Sequence, residues 1–135
     1  MSYPYLLDTN ILSDLIRNPA GKAAQRLRTV GEDAVCTSII VAAELRYGAA
    51  KRGSAQLLKR VDDVLAEIPV LPFDVPADTE YGGIRAGLEA EGRLIGGNDL
   101  LIAAHALALG AAIVTANDRE FRRVPGLLVE NWLAS

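Results

Sequence analysis

The sequence predicts an α/β fold: a central, mostly parallel sheet of four or five short strands, with helices covering both of its faces. Three observations point there. Short apolar runs alternate along the chain with longer amphipathic ones, and the longer ones carry the spacing of helices. The short runs are apolar throughout, as strands buried on both faces are. Leu100 to Leu109 is apolar nearly all the way round, which places that helix in the middle of the fold.

Taken in order, Tyr5-Leu6-Leu7 reads as the first strand and Asn10 to Arg17 as a short helix halted before Pro19. Ala20 to Thr29 is a second helix, with Lys22, Gln25 and Arg26 on its polar side. Ala34-Val35-Cys36 is a second strand. Ser38 then caps a helix running from Ile39 to about Lys51. Leu57, Leu58, Val61, Val64 and Leu65 give Ala55 to Leu65 an apolar helical stripe. Pro69 and Pro72 restrict Ile68 to Phe73 to a short or edge strand. Ala77 to Glu91 is helical and leads into the turn-rich Gly92 to Gly97. Gly110 closes the apolar helix, and Ala112-Ile113-Val114 and Leu127-Leu128-Val129 complete the strands.

At 135 residues the chain is expected to form one domain, residues 1–135. Half its residues are hydrophobic and 23% are charged, which excludes an intrinsically disordered chain. No apolar run is long enough to span a bilayer, and the opening MSYPYLLD lacks a basic leader region. The single cysteine, Cys36, excludes an internal disulfide and a thiolate metal cluster. A reducing cytoplasm is therefore the expected compartment. The net charge of −3 argues against a general polyanion binder, but eleven of the fourteen cations are arginine, and many fall in local groups.

Ligands of open parallel sheets bind beyond the carboxyl ends of the strands. Asp8 directly follows the first strand, and Asn117 and Asp118 follow the Ala112–Val114 strand. Asp99 stands at the mouth of the apolar helix. Each is also a good helix cap, and Asn98 is able to cap in place of Asp99. Glu44 is different. It lies in mid-helix with the uncharged Ile40, Val41 and Gly48 as same-face neighbours. A carboxylate there needs a hydrogen-bonding or cationic partner, such as an arginine from another segment. If these acids converge, their mutual repulsion is relieved by a hard divalent cation. Oxygen ligands without His or Cys select Mg2+ or Mn2+ over Zn2+. Such a site polarises a phosphodiester and activates water for its hydrolysis.

The chain resembles the PIN-domain ribonucleases, and among them the VapC toxins of bacterial toxin–antitoxin pairs. The resemblance runs nearly end to end, through LLDTNILSDL, SIIVAAELRYGA, RLIGGNDLLIAAHALALG and TANDREFRRVPGLLVENW. It implies a PIN-like three-layer sandwich with an acidic Mg2+ or Mn2+ pocket. Carried over residue by residue, Asp8, Glu44 and Asp99 match the family acids, with Asp8 and Asp99 as metal ligands and Glu44 helping through a ligand water or by positioning the nucleophile. A fourth position, often Asp, is Asn117 here, leaving Asp118 and Glu120 as possible substitutes. Thr9, Ser38 and Thr115 match hydroxyls that support the pocket. The resemblance further implies RNA as substrate, inhibition of translation by the free toxin, a VapB-like antitoxin and a homodimer.

Two competing readings are weaker. A phosphatase of haloacid-dehalogenase type would use Asp8 as nucleophile, but it needs a second Asp where Asn10 stands and a lysine late in the chain, where the last is Lys59. A catalytically silent PIN-like module that only binds RNA or protein has no need of clustered acids. His105 and Cys36 are expected to pack in the interior, His105 alternatively at a dimer interface or, as the minor reading, as a general base, and Trp132 to pack the C-terminal strand or contribute to a partner surface.

Overall fold

The computed structural model describes residues 2–134. Its sheet has five strands, β1 (Tyr5–Leu7), β2 (Val35–Ser38), β3 (Val70–Leu71), β4 (Ala112–Val114) and β5 (Val129–Glu130), in the order β3-β2-β1-β4-β5. Every pairing is parallel, so each connection crosses over and carries helix onto a face of the sheet. The helices are α1 (Thr9–Arg17), α2 (Lys22–Val30), α3 (Ile39–Arg52), α4 (Ala55–Glu67), α5 (Ala77–Ala90), α6 (Gly97–Leu109) and α7 (Asp118–Phe121).

Sequence and structure agree on the main elements and differ at their ends. The second strand starts at Val35 because Glu32–Ala34 winds into a 3-10 turn. The last strand is Val129–Glu130 rather than Leu127–Val129, and Leu128 is exposed. Helix α2 starts two residues late, at Lys22, with Gly21 as its cap. Ser38 caps α3 as expected, accepting the Ile40 N–H at 3.0 Å. Gly110 ends α6 in the left-handed conformation, at φ 68°, where a side chain would be strained.

The core lies between the central strands and the inner helix faces. Leu6, Leu7, Ile113 and Val114 are wholly buried, as are Ile11 and Leu12 of α1. Helix α6 buries Leu100, Ile102, Ala103, Ala104, His105 and Ala106, as its apolar circumference requires. Cys36 is fully buried, and its thiol pKa is pushed up to about 12 by burial. Trp132 packs edge-on against Tyr5, with ring centroids 5.4 Å apart. No helix among the described residues is long and apolar enough to cross a membrane.

The strand order decides where a site can form. From β1 the chain moves outward through β2 to β3, then returns to place β4 on the other side of β1. The direction of winding therefore reverses between β1 and β4, which opens a crevice beyond their carboxyl ends.

Candidate active site

Asp8 and Thr115 are the first residues beyond that pair of strands. Leu7 is in register with Val114, and the Asp8 N–H still donates to the Val114 carbonyl at 2.9 Å. The two side chains therefore meet, and the Thr115 hydroxyl donates to Asp8 Oδ2 at 2.7 Å. Asp8 Oδ1 accepts the Thr9 N–H at 2.8 Å, so the residue caps α1 while facing the crevice. Capping and a role in the pocket are compatible because a carboxylate has two oxygens.

Glu44 reaches the same place from α3. Its Oε1 accepts the Thr9 hydroxyl at 2.5 Å and its Oε2 accepts the Asn98 amide at 3.1 Å. These neutral donors, rather than an arginine, satisfy the mid-helix carboxylate. Asn98 is thus not the cap of α6; Gly96 holds that position without a side-chain bond. Gly97, Asn98 and Asp99 form the first helical turn, which frees Asp99 to face the crevice while the positive end of the α6 dipole lies beneath it.

Asn117 links the third acid to a fourth. Its amide donates to Asp99 Oδ2 at 3.2 Å and to Glu120 Oε2 at 2.6 Å. Its own backbone N–H is held by the Thr115 hydroxyl at 2.9 Å. Of the possible substitutes at this position, Glu120 lies beside Asp99 and Asn117. Asp118 is engaged elsewhere, with Arg122 at 3.0 Å and Asn131 at 3.2 Å. Ser38 also stands apart: its hydroxyl caps α3 and meets His105 Nδ1 at 2.7 Å. The His105 ring donates to the Pro72 carbonyl and packs edge-on against Phe73, so it ties α6 to the β2–α3 junction from inside the core.

Asp8, Thr9, Asn10, Ser13, Arg17, Glu44, Asp99 and Asn117 line one cleft of about 350 Å³. Ser13 and Arg17 escaped the sequence reading, although Thr9, Ser13 and Arg17 recur at the four-residue interval that sets side chains on one helix face. Asn10 escaped it too; its Oδ1 accepts the Ala116 N–H at 2.9 Å and holds the β4–α7 loop against α1. Among the described residues, Asp8, Glu44 and Asp99 form no ion pair with a basic side chain, and no three His, Cys, Asp or Glu residues are grouped closely enough to hold a metal on their own.

The electrostatics are those of crowded acids. Burial raises the pKa of Asp8, against the lowering effect of its bonds to Thr115 and Thr9. Asp99 is raised to about 7, first by burial, then by its contact with Glu120 and the charges of Asp8 and Glu44. Glu120 moves the opposite way, lowered by its bonds to Asp99 and Asn117. Two of the acids nearest the crevice, Asp8 and Asp99, are thus held back from ionising, chiefly by burial. The donor set fits a hard divalent cation: all the ligating atoms available are oxygens, and binding would displace the protons that burial favours.

The PIN domain family model matches residues 5–127. The chain belongs to the PIN-domain family. Its similarity to the VapC branch extends over nearly all of both partners. Ribonuclease VapC2 of Rickettsia felis is 38% identical over 130 residues, covering 95% of this chain and 97% of that protein. The tRNA(fMet)-specific endonuclease VapC of Shigella flexneri is 39% identical over 129 residues, covering 95% and 97%. Among solved structures, the DNA-bound VapBC of Salmonella typhimurium superposes with a TM-score of 0.88 at 36% identity, covering 98% of this chain and 99% of that one. VapBC2 of Rickettsia felis, bound to a DNA fragment from its promoter, gives 0.86 at 38% identity, covering 95% and 98%. PIN-domain ribonucleases depend on a divalent metal, in keeping with the oxygen donors of the crevice.

Proposed function

We propose that this protein is an Mg2+-dependent endoribonuclease toxin, with Mn2+ able to replace Mg2+, that cuts RNA in the cytoplasm and inhibits translation when free. A VapB-like antitoxin holds it in check, and the toxin acts as a homodimer. One observation carries the reading: Asp8, Glu44 and Asp99, from three separate stretches of sequence, line one cleft, and among the described residues no basic side chain forms an ion pair with any of them. A fold with no use for metal would gain by pairing or replacing such acids.

Asp8 and Asp99 would hold the ion, and Asn117 and Glu120 complete the polar wall beside Asp99. Once bound, the ion supplies charge to stabilise a phosphodiester undergoing hydrolysis and lowers the pKa of water. The protein's own residues fix the acids. Thr115 orients Asp8, and Thr9 and Asn98 hold Glu44, which would act through a water.

The test uses the purified full chain, free of antitoxin, on total cellular RNA. Cleavage should require added Mg2+ or Mn2+, stop with EDTA, and vanish in Asp8→Asn and Asp99→Asn. Equal cleavage by wild type and both variants would overturn the assignment. Mapping the cut ends identifies the target RNA.

A further inference from the structure

A second groove opens from the acidic cleft. It has a volume of about 480 Å³ and shares Thr9, Ser13, Arg17 and Glu44 with the cleft, then continues between α1, α3 and α4. Its two long walls follow helical spacing: Thr9, Ser13 and Arg17 on α1, and Glu44, Gly48 and Arg52 on α3. Eight residues of helix carry each wall about 12 Å away from the acids. Arg60 of α4 joins Arg17 and Arg52 in the lining, and beyond Glu44 no acid accompanies them.

Four of the other eight arginines are held by carboxylates, and these three are not. Arg26, Arg46, Arg85 and Arg122 are paired with carboxylates. Arg17, Arg52 and Arg60 have no ion pair or side-chain hydrogen bond among the described residues. A helix dipole accounts for a cation in the last turn of α1 or α3. It does not account for Arg60 in mid-α4, nor for all three facing one groove. Gly48 lies between Glu44 and Arg52 on the α3 wall and adds no side chain to the groove.

We infer that this groove is the path of the RNA backbone to the cleft, with Arg17, Arg52 and Arg60 as its phosphate contacts. The inference rests on the endoribonuclease reading. The acids of the cleft repel a polyanion, so a chain of net charge −3 needs a local positive track to deliver one. Guanidinium groups suit phosphate oxygens through paired N–H donors. The floor, formed by Leu45, Ala49, Leu57 and Val61, carries no aromatic ring on which bases would stack. Contact here is therefore to the backbone, and sequence is not read along this stretch.

The experiment follows binding of a labelled, mixed-sequence single-stranded RNA to the full chain in EDTA over a series of NaCl concentrations. Arg52→Gln and Arg60→Gln should each weaken binding several-fold and reduce the slope of log affinity against log salt by about 0.7, and the double variant by about 1.4. Arg28→Gln removes the same charge from an unpaired arginine outside the groove and should leave the slope unchanged. A matching loss in Arg28→Gln would reduce the effect to net charge and overturn the track. An unchanged slope in the double variant, with metal-dependent cleavage intact, places the RNA elsewhere and leaves the catalytic reading standing. If the double variant binds RNA normally but escapes inhibition by the co-expressed antitoxin, the groove seats that protein and the inference fails. Wild-type protein that neither binds nor cuts RNA would remove both.

Discussion

Asp99 and Glu120 share the Asn117 amide, and their carboxyls are displaced in opposite directions, Asp99 up to about 7 and Glu120 down. The asymmetry comes from burial: Asp99 lies deeper, so the pair settles its repulsion by leaving the proton there. A carboxyl whose folded pKa lies above its ordinary 3.8 stabilises the fold while protonated, and that contribution disappears as pH rises from about 4 to about 7. Metal-free protein should therefore lose stability across that range on account of Asp99. Asp99→Asn should be the more stable form at neutral pH, by about 1 kcal/mol after allowance for solvent screening, with the advantage gone near pH 4. Thermal melts of both proteins across the range decide it, and a less stable variant at neutral pH contradicts the assigned proton. Saturating Mg2+ should raise the wild-type melting temperature more than that of the variant.

The fourth position separates two neighbours. Glu120→Gln removes the carboxylate beside Asp99, so Asp99 should ionise more readily and the acid limb of the activity profile should move to lower pH. Asp118→Asn touches only a partly exposed ion pair with Arg122 and a bond to Asn131. It should leave cleavage nearly unchanged and cost no more than about 1 kcal/mol. The reverse ranking would make Asp118 the functional acid.

Thr9→Val keeps the shape of the first residue of α1 and deletes the hydroxyl that holds Glu44. Loss of the bond should cost about 1 kcal/mol in stability. The larger effect should fall on the site, with the metal concentration for half-maximal cleavage rising roughly tenfold, as when a group orienting a ligand is lost. Metal titration of the cleavage rate measures it; an unchanged midpoint would show that Glu44 holds its place without Thr9.

His105 should behave as a structural residue. Burial lowers its pKa below the ordinary 6.5, so its neutral form stabilises the fold above that pH, and stability falls on acidification through the lowered value. His105→Leu strips the Ser38 hydroxyl and the Pro72 carbonyl of their partner and should cost about 2–3 kcal/mol. Its metal requirement for cleavage should match that of wild type below the melting transition. A selective loss of turnover in a well-folded variant would place the imidazole in the chemistry.

Local chemistry made much of this protein legible from its sequence. Tyr5–Leu7 and Ala112–Val114 are strands because short, wholly apolar runs belong inside a parallel sheet, and Asp8 follows the first because a cap is needed there. Ser38 and Gly110 mark helix ends through bonds that reach only a few residues along the chain. Such signals also brought Asp8, Glu44 and Asp99 to notice as candidates. The tertiary structure alone decided how they meet. Glu44 is satisfied by Thr9 and Asn98, 35 and 54 residues away in sequence, and Thr115 reaches Asp8 across 107 residues. The same long-range closure turned Asn98 from a cap into a partner for Glu44, drew Glu120 rather than Asp118 toward Asp99, and left Leu128 outside the last strand. A side chain with several possible hydrogen-bond partners takes the one that folding brings within 3 Å, and that choice is made by strand order and crossovers, which no short stretch of sequence contains.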